Sequence, residues 1–321
     1  MQLNTRALEL CLRIIADAAE LRAGVCEVAG ATVVDLGIEA RGGLEAGRRM
    51  AEVCLAGLGE VAFVPGDPAV WPGPAVQVRT DQPVAACMAS QYAGWQIAVG
   101  KYFAMGSGPM RAAAGKEALF DLIGFRETSD CVVGVLETRK LPTEEVVNYI
   151  GKGVRNLFPL KKVPDTFSLT LLVAPTASQA GTVQVVARSV ETALHKLHEL
   201  GFDLSRVESG YGVAPLPPMA KDDLAGIGRT NDAVLYGGKV TLWVRGDDAS
   251  LQAIGPRVPS GSSPDHGRPF AEIFERAGRD FYKIDPLLFS PAVVRFCNLD
   301  SGRYFSFGET RADVLRETFG S

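Results

Sequence analysis

Two hydrophobic patterns alternate along this chain, the spacing of amphipathic helices and the short apolar runs of buried strands. From Asn4, which we predict to be an N-cap, apolar residues recur every three or four positions and indicate a first helix. Apolar runs at 25–28, 32–36, 132–136 and 169–174 predict strands. Helical and strand patterns follow one another without a regular strand–helix–strand repeat. The order therefore favours an α+β fold over a doubly wound parallel sheet.

Turn signals in the second half of the chain predict hairpins and loops. The two predicted hairpins have their turns at Gly237-Gly238 and at Ser301-Gly302, each between two apolar runs. The stretch 207–218 is rich in glycine and proline, so we predict a loop there. A basic connector that contains proline is predicted at Phe158–Thr166.

The longest helical pattern follows the apolar run 169–174 and ends before Gly201, a natural C-terminal stop. Arg188, Glu191 and His195 lie three and four residues apart and therefore share one face of this helix. A guanidinium, a carboxylate and an imidazole on one stripe can carry out proton chemistry. They can equally form a solvated salt-bridge face, and the pattern alone leaves both interpretations open.

The composition of the chain argues against several classes of function. The chain has 321 residues, of which 47% are hydrophobic and 22% are charged, enough for one large or two ordinary globular domains. Its net charge of −4 gives no support for a nucleic-acid partner. No apolar run reaches the roughly 18 residues of a membrane span, so we expect no membrane partner. Six scattered cysteines without a Cys-x-x-Cys pair suit reduced thiols in a cytoplasmic protein and argue against structural zinc.

A glycine-rich loop precedes a predicted helix at Pro109. Ser107 lies between two glycines of this loop, and Arg111 and Lys116 follow it. A helix N-terminus with cations nearby can hold a phosphate or a carboxylate, and the same loop can be a plain structural turn. It lacks the Gly-Lys-Ser/Thr ending of a nucleoside triphosphate loop.

Six phrases of the sequence, taken in order, resemble the methenyltetrahydromethanopterin cyclohydrolase family. They are Gly37-Ile-Glu-Ala-Arg-Gly-Gly-Leu-Glu-Ala-Gly47, Ala86-Cys-Met-Ala-Ser-Gln-Tyr-Ala-Gly-Trp95, Tyr102-Phe-Ala-Met-Gly-Ser-Gly-Pro109, Ala174-Pro-Thr-Ala-Ser178, Glu191-Thr-Ala-Leu-His-Lys-Leu-His198 and Gly228-Arg-Thr-Asn-Asp232. The resemblance implies a cytoplasmic one-carbon enzyme of methanogens and methylotrophic bacteria. It also implies a homotrimer without metal or redox cofactor, in which two α/β-type domains lie side by side with a pocket between them. We place these domains at residues 1–125 and 126–321.

The family's reaction interconverts a methenyl-pterin cation and its N5-formyl form by adding water. The reacting carbon lies between two nitrogens that share a positive charge, so no Lewis acid is needed. One group has to take a proton from water and can return it to the departing nitrogen. The family's catalytic Glu and Arg match Glu191 and Arg188. The resemblance therefore implies that Glu191 is the general base and that Arg188 orients it.

Other residues of the matched region are candidate substrate contacts. Arg111 and Arg229 carry the charge that the acidic tail of a pterin requires. The remaining candidates can line the pocket or hydrogen-bond the substrate, and they are Lys101, Ser90, Gln91, Ser107, Thr230, Asn231, Asp232 and His195. For each of them the alternative is a structural role.

Two other functions stay open at this stage. One is a pterin-binding protein that has lost catalysis and acts as a carrier or assembly partner. The other is a folate-specific cyclohydrolase of similar chemistry. We expect His195 and His198 not to form a metal site, because the nearby carboxylate of Glu199 faces elsewhere.

Overall fold

The computed structural model describes residues 1–155 and 168–320 of the chain. The predicted connector at Phe158–Thr166 lies outside the described residues. The chain divides into two compact units, each built from two segments. The first unit combines Met1–Gly59 with Ala85–Gln184, and the second combines Glu60–Val84 with Val185–Ser321.

The helices of the described residues include most of those predicted. They are α1 (Leu3–Ala16), α2 (Leu44–Cys54), α3 (Met110–Ala114), α4 (Leu119–Leu122), α5 (Glu144–Arg155), α6 (Gln179–Val186), α7 (Ser189–Glu199), α8 (Asp223–Gly237), α9 (Asp248–Ile254), α10 (Phe270–Arg276) and α11 (Ala312–Gly320). A π-helix spans Val84–Gln91. The domain boundary predicted between residues 125 and 126 falls within the first unit, and as a folding boundary it stays a prediction.

The strands form one mixed sheet in each unit. They are β1 (Gly24–Val28), β2 (Ala31–Asp35), β3 (Gly59–Pro65), β4 (Pro74–Thr80), β5 (Trp95–Val99), β6 (Tyr102–Ser107), β7 (Cys131–Glu137), β8 (Ser168–Ala174), β9 (Val207–Pro215), β10 (Lys239–Val244), β11 (Val293–Asn298) and β12 (Tyr304–Gly308). The first sheet has the order β1-β2-β8-β7-β6-β5, and the second has the order β12-β11-β10-β9-β4-β3. Parallel pairs lie beside antiparallel ones in both sheets, which confirms the α+β prediction.

The central strands of the first sheet explain why their sequences are continuously apolar. On β8, Leu171 and Val173 belong to a core cluster that contains residues of α5, whereas Leu172 and Ala174 belong to a cluster that contains residues of α1 and α2. Successive side chains of a strand point to opposite faces of its sheet. Both faces of the sheet are therefore covered by helices, which explains why Leu169 and Leu171–Ala174 are apolar on either side of the strand.

Two loop and hairpin predictions for the second unit are wrong. The glycine-rich stretch predicted as a loop contains β9, which lies between β10 and β4 inside the second sheet. The hairpin predicted at Gly237-Gly238 does not exist, because α8 runs through to Gly237. Asp222 begins that helix by accepting a hydrogen bond from the Ala225 amide at 2.9 Å. The hairpin with its turn at Ser301-Gly302 is confirmed as β11 and β12.

The start of α1 also differs from the prediction. The helix begins at Leu3, so Asn4 is not its N-cap. The side chain of Asn4 is fully buried instead, where Nδ2 donates to the Pro109 carbonyl at 3.1 Å and Oδ1 accepts from the Val133 amide at 2.9 Å. The helix is capped by Glu127, whose carboxylate accepts from the Leu3 and Asn4 amides at 2.9 and 3.1 Å. Burial raises the pKa of Glu127.

A second buried polar group, Asp232, joins two helices of the second unit. Its Oδ1 accepts a hydrogen bond at 2.8 Å from the amide of Phe270, the first residue of α10. Burial is the largest influence on this carboxyl group and raises its pKa to about 7. One turn later Tyr236 accepts from the Gly267 amide and donates to the Arg268 carbonyl. These bonds hold the segment that leads into α10 against α8.

We expect Asn4→Ala to lower the free energy of unfolding by about 2–4 kcal/mol, because a buried amide and a buried carbonyl lose their partner. Chemical denaturation followed by circular dichroism measures the change. Thr5→Ala, at the next and less buried position, is the control and should cost under about 1 kcal/mol. Equal costs for the two variants would contradict the role assigned to Asn4.

We expect Asp232→Asn to change how stability depends on pH. A carboxyl group whose pKa is higher in the folded protein than its ordinary value binds its proton more tightly in the folded state. Its contribution to the free energy of unfolding therefore decreases as pH rises from about 4 to about 7. The Asn variant lacks this contribution, so its stability relative to the native protein should improve across that range.

Denaturation at about pH 4 and about pH 8 measures the difference. Asp121→Asn, at an exposed position, is the control and should change the free energy of unfolding by the same amount at the two pH values. A difference between Asp232→Asn and the native protein that does not vary with pH would overturn this account.

Candidate active site

The single helix predicted between the apolar run 169–174 and Gly201 is wrong, because the helix ends at Val186 and a new one begins at Ser189. The second of the two, α7, carries the residues that the sequence predicts to be catalytic. Arg188 is its N-cap residue, and Glu191 lies in its first turn. Their side chains are 8% and 5% exposed, and Nη1 of Arg188 lies 3.8 Å from Oε2 of Glu191. This burial excludes the solvated salt-bridge face that the helical spacing had left open for the pair.

Two sources of positive charge act on the Glu191 carboxylate. One is the Arg188 guanidinium, and the other is the N-terminal end of α7, where backbone N–H groups point outward along the helix axis. A buried carboxylate without such neighbours would take up a proton to avoid carrying an unpaired charge. The first turn of α7 therefore favours a negatively charged oxygen in a place that is almost closed to water.

The helix that follows these residues is anchored along its length. Leu194 and Leu197 form its apolar edge and are fully buried. Lys196 is fully buried as well, and its Nζ donates to Ser262 Oγ at 3.0 Å and to the Leu287 carbonyl. Burial lowers the pKa of Lys196 to about 8. Sequence reasoning missed this lysine, whose only signal is its place beside the apolar edge of the helix.

His195 lies one turn beyond Glu191 on the same helix. Its side chain is largely buried, with Nε2 at 3.6 Å from Oε1 of Glu199. The expectation that Glu199 faces elsewhere is therefore wrong for His195, because residues four apart share a helix face. Burial lowers the pKa of His195, which outweighs the opposite influence of Glu199. The imidazole is therefore neutral at neutral pH. Its predicted contact with substrate stays a prediction.

Arg229 is tied to the backbone of its own unit. Its Nε donates to the Thr318 carbonyl at 3.0 Å, and its Nη1 donates to the carbonyls of Met219 and Pro218 at 3.0 and 3.3 Å. The guanidinium thus joins α8 to the end of α11 and to the segment after β9. Its predicted contact with an acidic tail stays a prediction.

The other polar residues of that motif also bond to backbone. Thr230 Oγ1 donates to the Gly226 carbonyl and Asn231 Nδ2 to the Ile227 carbonyl, each at 2.8 Å and four residues back in α8. Asp232 accepts from the start of α10, as described above. These bonds explain why polar residues occupy a largely buried helix. Hydrogen bonds from the three residues to a pterin stay a prediction.

Four further candidates lie together in the first unit. Ser90 and Gln91 end the π-helix, Ser107 ends β6, and Arg111 belongs to α3. Ser90 Oγ donates to the Cys54 carbonyl at 2.7 Å, and Ser107 Oγ lies 3.2 Å from the Cys54 sulfur. All four side chains are buried. A π-helix is rare and is frequently found at functional sites. Its presence beside these residues therefore supports their choice as candidates.

The guanidinium of Arg111 holds the end of the π-helix. Its Nε and Nη2 donate to the two carboxylate oxygens of Glu117 at 2.9 and 2.5 Å. Its Nη1 donates to the carbonyls of Met88 and Ser90 at 3.0 and 3.2 Å. The centre of the Tyr92 ring lies 4.9 Å from Cζ of Arg111. A bidentate pair of this kind fixes both partners. Contact between Arg111 and substrate stays a prediction.

Lys101 is exposed in the turn between β5 and β6, and its role in binding also stays a prediction. Among residues 1–155 and 168–320, no group of three or more His, Cys, Asp or Glu side chains is placed to hold a metal ion. In the same part of the chain, every helix is too short or too polar to cross a bilayer.

Comparison with known proteins identifies the family. The family model described as "Cyclohydrolase (MCH)" matches residues 2–319. The chain is 49% identical over 300 residues to the methenyltetrahydromethanopterin cyclohydrolase of Rhodopirellula baltica, which covers 91% of this chain and 87% of that relative. It is 47% identical over 322 residues to the enzyme of that name from Xanthobacter autotrophicus, covering 100% of this chain and 93% of the relative.

An archaeal relative shows the same agreement. The methenyltetrahydromethanopterin cyclohydrolase of Methanosarcina barkeri is 44% identical over 294 residues, covering 91% of this chain and 89% of the relative. The resemblance carried by the six sequence phrases is confirmed, and the match extends beyond them to nearly the whole length. The chain therefore belongs to the methenyltetrahydromethanopterin cyclohydrolase family.

Proposed function

We propose that this protein reversibly hydrolyses a 5,10-methenyl pterin of the tetrahydromethanopterin type to its N5-formyl form, with Glu191 as the base that activates water. Family membership and the named relatives support the reaction, which makes the protein a hydrolase of a carbon–nitrogen bond in a cyclic amidine. The observation that carries the assignment of residues is the buried pair of Arg188 and Glu191 in the first turn of α7.

The reaction needs one proton acceptor near the reacting carbon. The oxygen of water bonds to the methenyl carbon while one water proton passes to the Glu191 carboxylate. The positive charge of the amidine is lost in this step, and a tetrahedral carbon that bears a hydroxyl group is left. Glu191 then returns its proton to the departing nitrogen, the carbon–nitrogen bond breaks, and the hydroxyl proton leaves as the formyl group forms. One proton is released in total, as the loss of the substrate's charge requires.

Arg188 supports both halves of this sequence. Before the reaction it keeps Glu191 ionised, and an ionised carboxylate also attracts a cationic substrate. After the first proton transfer the positive charge of Arg188 lowers the proton affinity of Glu191. It thereby favours transfer of the proton to the departing nitrogen. At a distance of 3.8 Å the guanidinium acts on the carboxylate through its electric field.

The charge and position of the other site residues indicate which part of the substrate each of them would contact. We assign His195 to the wall of the site, because it lies one turn from Glu191 and a neutral imidazole does not repel a cation. Arg111 and Arg229 remain the proposed partners of the pterin's acidic tail, and Lys101 and Ser107 remain proposed substrate contacts. The proposed contacts with the pterin edge are Ser90, Gln91, Thr230, Asn231 and Asp232. The homotrimer, the cytoplasmic location and activity without a metal or redox cofactor are retained as proposals.

We expect Glu191→Gln to lower kcat by about 10²- to 10⁴-fold, because the amide cannot accept a proton from water. The loss of methenyl absorbance on hydrolysis gives the rate. Glu208→Gln, at an exposed carboxylate that pairs with Arg245, is the control and should stay within about twofold of the native rate.

Near-normal turnover by Glu191→Gln would end the assignment of this residue as the base. The same assay separates the two other functions, if the folate and the methanopterin forms are offered in competition. Pterin binding without hydrolysis by the native chain would identify a carrier, and preference for the folate form would identify a folate cyclohydrolase.

We expect Arg188→Met to move the acid limb of the pH–rate profile to higher pH. A carboxylate that has lost a cationic neighbour holds its proton more tightly, so the active ionised form appears only at higher pH. Arg188→Lys keeps the charge and should move the limb less. Profiles of kcat/KM against pH for the three proteins give the comparison, and an acid limb that is the same in all of them would refute the role of Arg188.

A further inference from the structure

Helix α7 meets the second sheet at two glycines of β9. Gly210 and Gly212 are two residues apart and therefore lie on the same face of the strand. A Cβ atom on Gly212 would lie 2.4 Å from Ser189 Oγ, and a Cβ atom on Gly210 would lie 2.7 Å from Val190 Cγ1. Both distances are far shorter than a van der Waals contact. The first turn of α7 thus lies where side chains on an ordinary strand would be.

These two positions require glycine because a side chain would not fit, and not because the backbone has an unusual conformation. Neither is among the residues with positive φ in the described chain, so any L-residue could adopt their backbone geometry. Glycine inside a strand normally weakens it and commonly marks a close approach of another element. This is also the feature that made the stretch resemble a loop in the sequence.

The strand cannot move away from the helix to relieve the close approach. β9 lies between β10 and β4 and pairs with both, Gly212 with Val240 on one side and with Val78 on the other. The position is closed on the sheet side too, because a Cβ on Gly212 would lie 3.2 Å from Val240 Cγ2. Rotation of the Ser189 hydroxyl away from this Cβ would still leave Val190 Cγ2 at 3.1 Å, so a larger residue at this place presses on the first turn of the helix.

The helix side offers little freedom either. Ser189 and Val190 are fully buried, and a β-branched valine in a helix has one strongly preferred side-chain rotamer. Within residues 1–155 and 168–320, Ser189 Oγ has no hydrogen-bond partner, so this oxygen contributes only its volume to the packing. Removing this oxygen should cost little, because no hydrogen bond is lost.

We propose that Gly210 and Gly212 are positioning residues of the reaction, which set the depth at which the first turn of α7 lies on β9. Ser189 and Val190, the residues in contact with the glycines, lie between Arg188 and Glu191 in the chain. A shift of these two contact residues therefore moves the guanidinium and the carboxylate together. The proposal rests on the proposed function, since it assigns the glycines to the geometry of the Glu191 site.

The size of the expected effect follows from the geometry. A methyl group at Gly212 needs about 1 Å more room, and a misplacement of that size can lower a rate about 10²-fold. We therefore expect Gly212→Ala to lower kcat by about 10- to 100-fold while KM changes by less than about threefold, because the chemical step depends on the distance between Glu191 and the reacting carbon.

The test is a double-variant cycle between Gly212→Ala and Ser189→Ala. Ser189→Ala alone should keep kcat within about twofold, and the double variant should recover most of the rate lost by Gly212→Ala, because the oxygen that clashes is gone. Gly151→Ala in α5 is the control, since a Cβ there meets nothing within 4 Å. Thermal unfolding of every variant shows that kcat is compared among folded proteins.

Each outcome decides the proposal. A folded Gly212→Ala with native kcat overturns it, as does a loss of kcat that Ser189→Ala does not restore. If Gly212→Ala does not fold, Gly210→Ala is compared with Gly210→Ala/Val190→Ala by the same criteria. Failure of both glycine variants to fold would overturn the proposal, because the glycines would then serve the fold itself.

Glu191→Gln is measured in parallel to keep the two proposals apart. An active Glu191→Gln enzyme defeats the assignment of the base. The position of α7 in a crystal structure of Gly212→Ala then still shows whether the glycines set its depth. An inactive Glu191→Gln enzyme together with a fully active, folded Gly212→Ala enzyme defeats only the positioning role.

Discussion

The proposed active site depends on one electrostatic constraint, that a carboxylate removed from water stays ionised only beside positive charge. Glu191 meets this requirement twice within one helical turn, through Arg188 and through the N-terminal end of α7. Both sources lie within three residues of the carboxylate, so the local sequence supplies them as soon as the helix forms. The rest of the second unit has to bury that turn and hold it still.

Burial of α7 uses contacts at both ends of the helix. At the first turn, two glycines of β9 admit Ser189 and Val190 closer than other residues would allow. Toward the other end, the buried ammonium of Lys196 bonds to Ser262 and Leu287. A helix that is fixed at both ends can present a carboxylate at a constant distance from a bound molecule, and proton transfer needs such constancy.

Both units contain buried polar side chains that satisfy backbone groups of their own unit. Arg111 bonds carbonyls of the π-helix, Arg229 bonds carbonyls near α8, and Asn4 of α1 bonds the Pro109 carbonyl before α3 and the Val133 amide of β7. A polar residue in a family motif can therefore serve the fold, the ligand or both. Hydrogen bonding to backbone explains its burial, but it does not decide whether a ligand also uses it.

The sequence by itself determined the α+β class, the hairpin at Ser301-Gly302, the family, and the Arg188–Glu191 spacing that places both groups on one side of a helix. These features depend on residues close together in the chain or on the order of motifs. Only the tertiary structure decided that Arg188 and Glu191 are buried and that β9 is a strand. It also decided that Asn4 bonds to residues more than 100 positions away. The physical reason is that burial and the partners of buried polar groups come from distant segments, which local periodicity does not record.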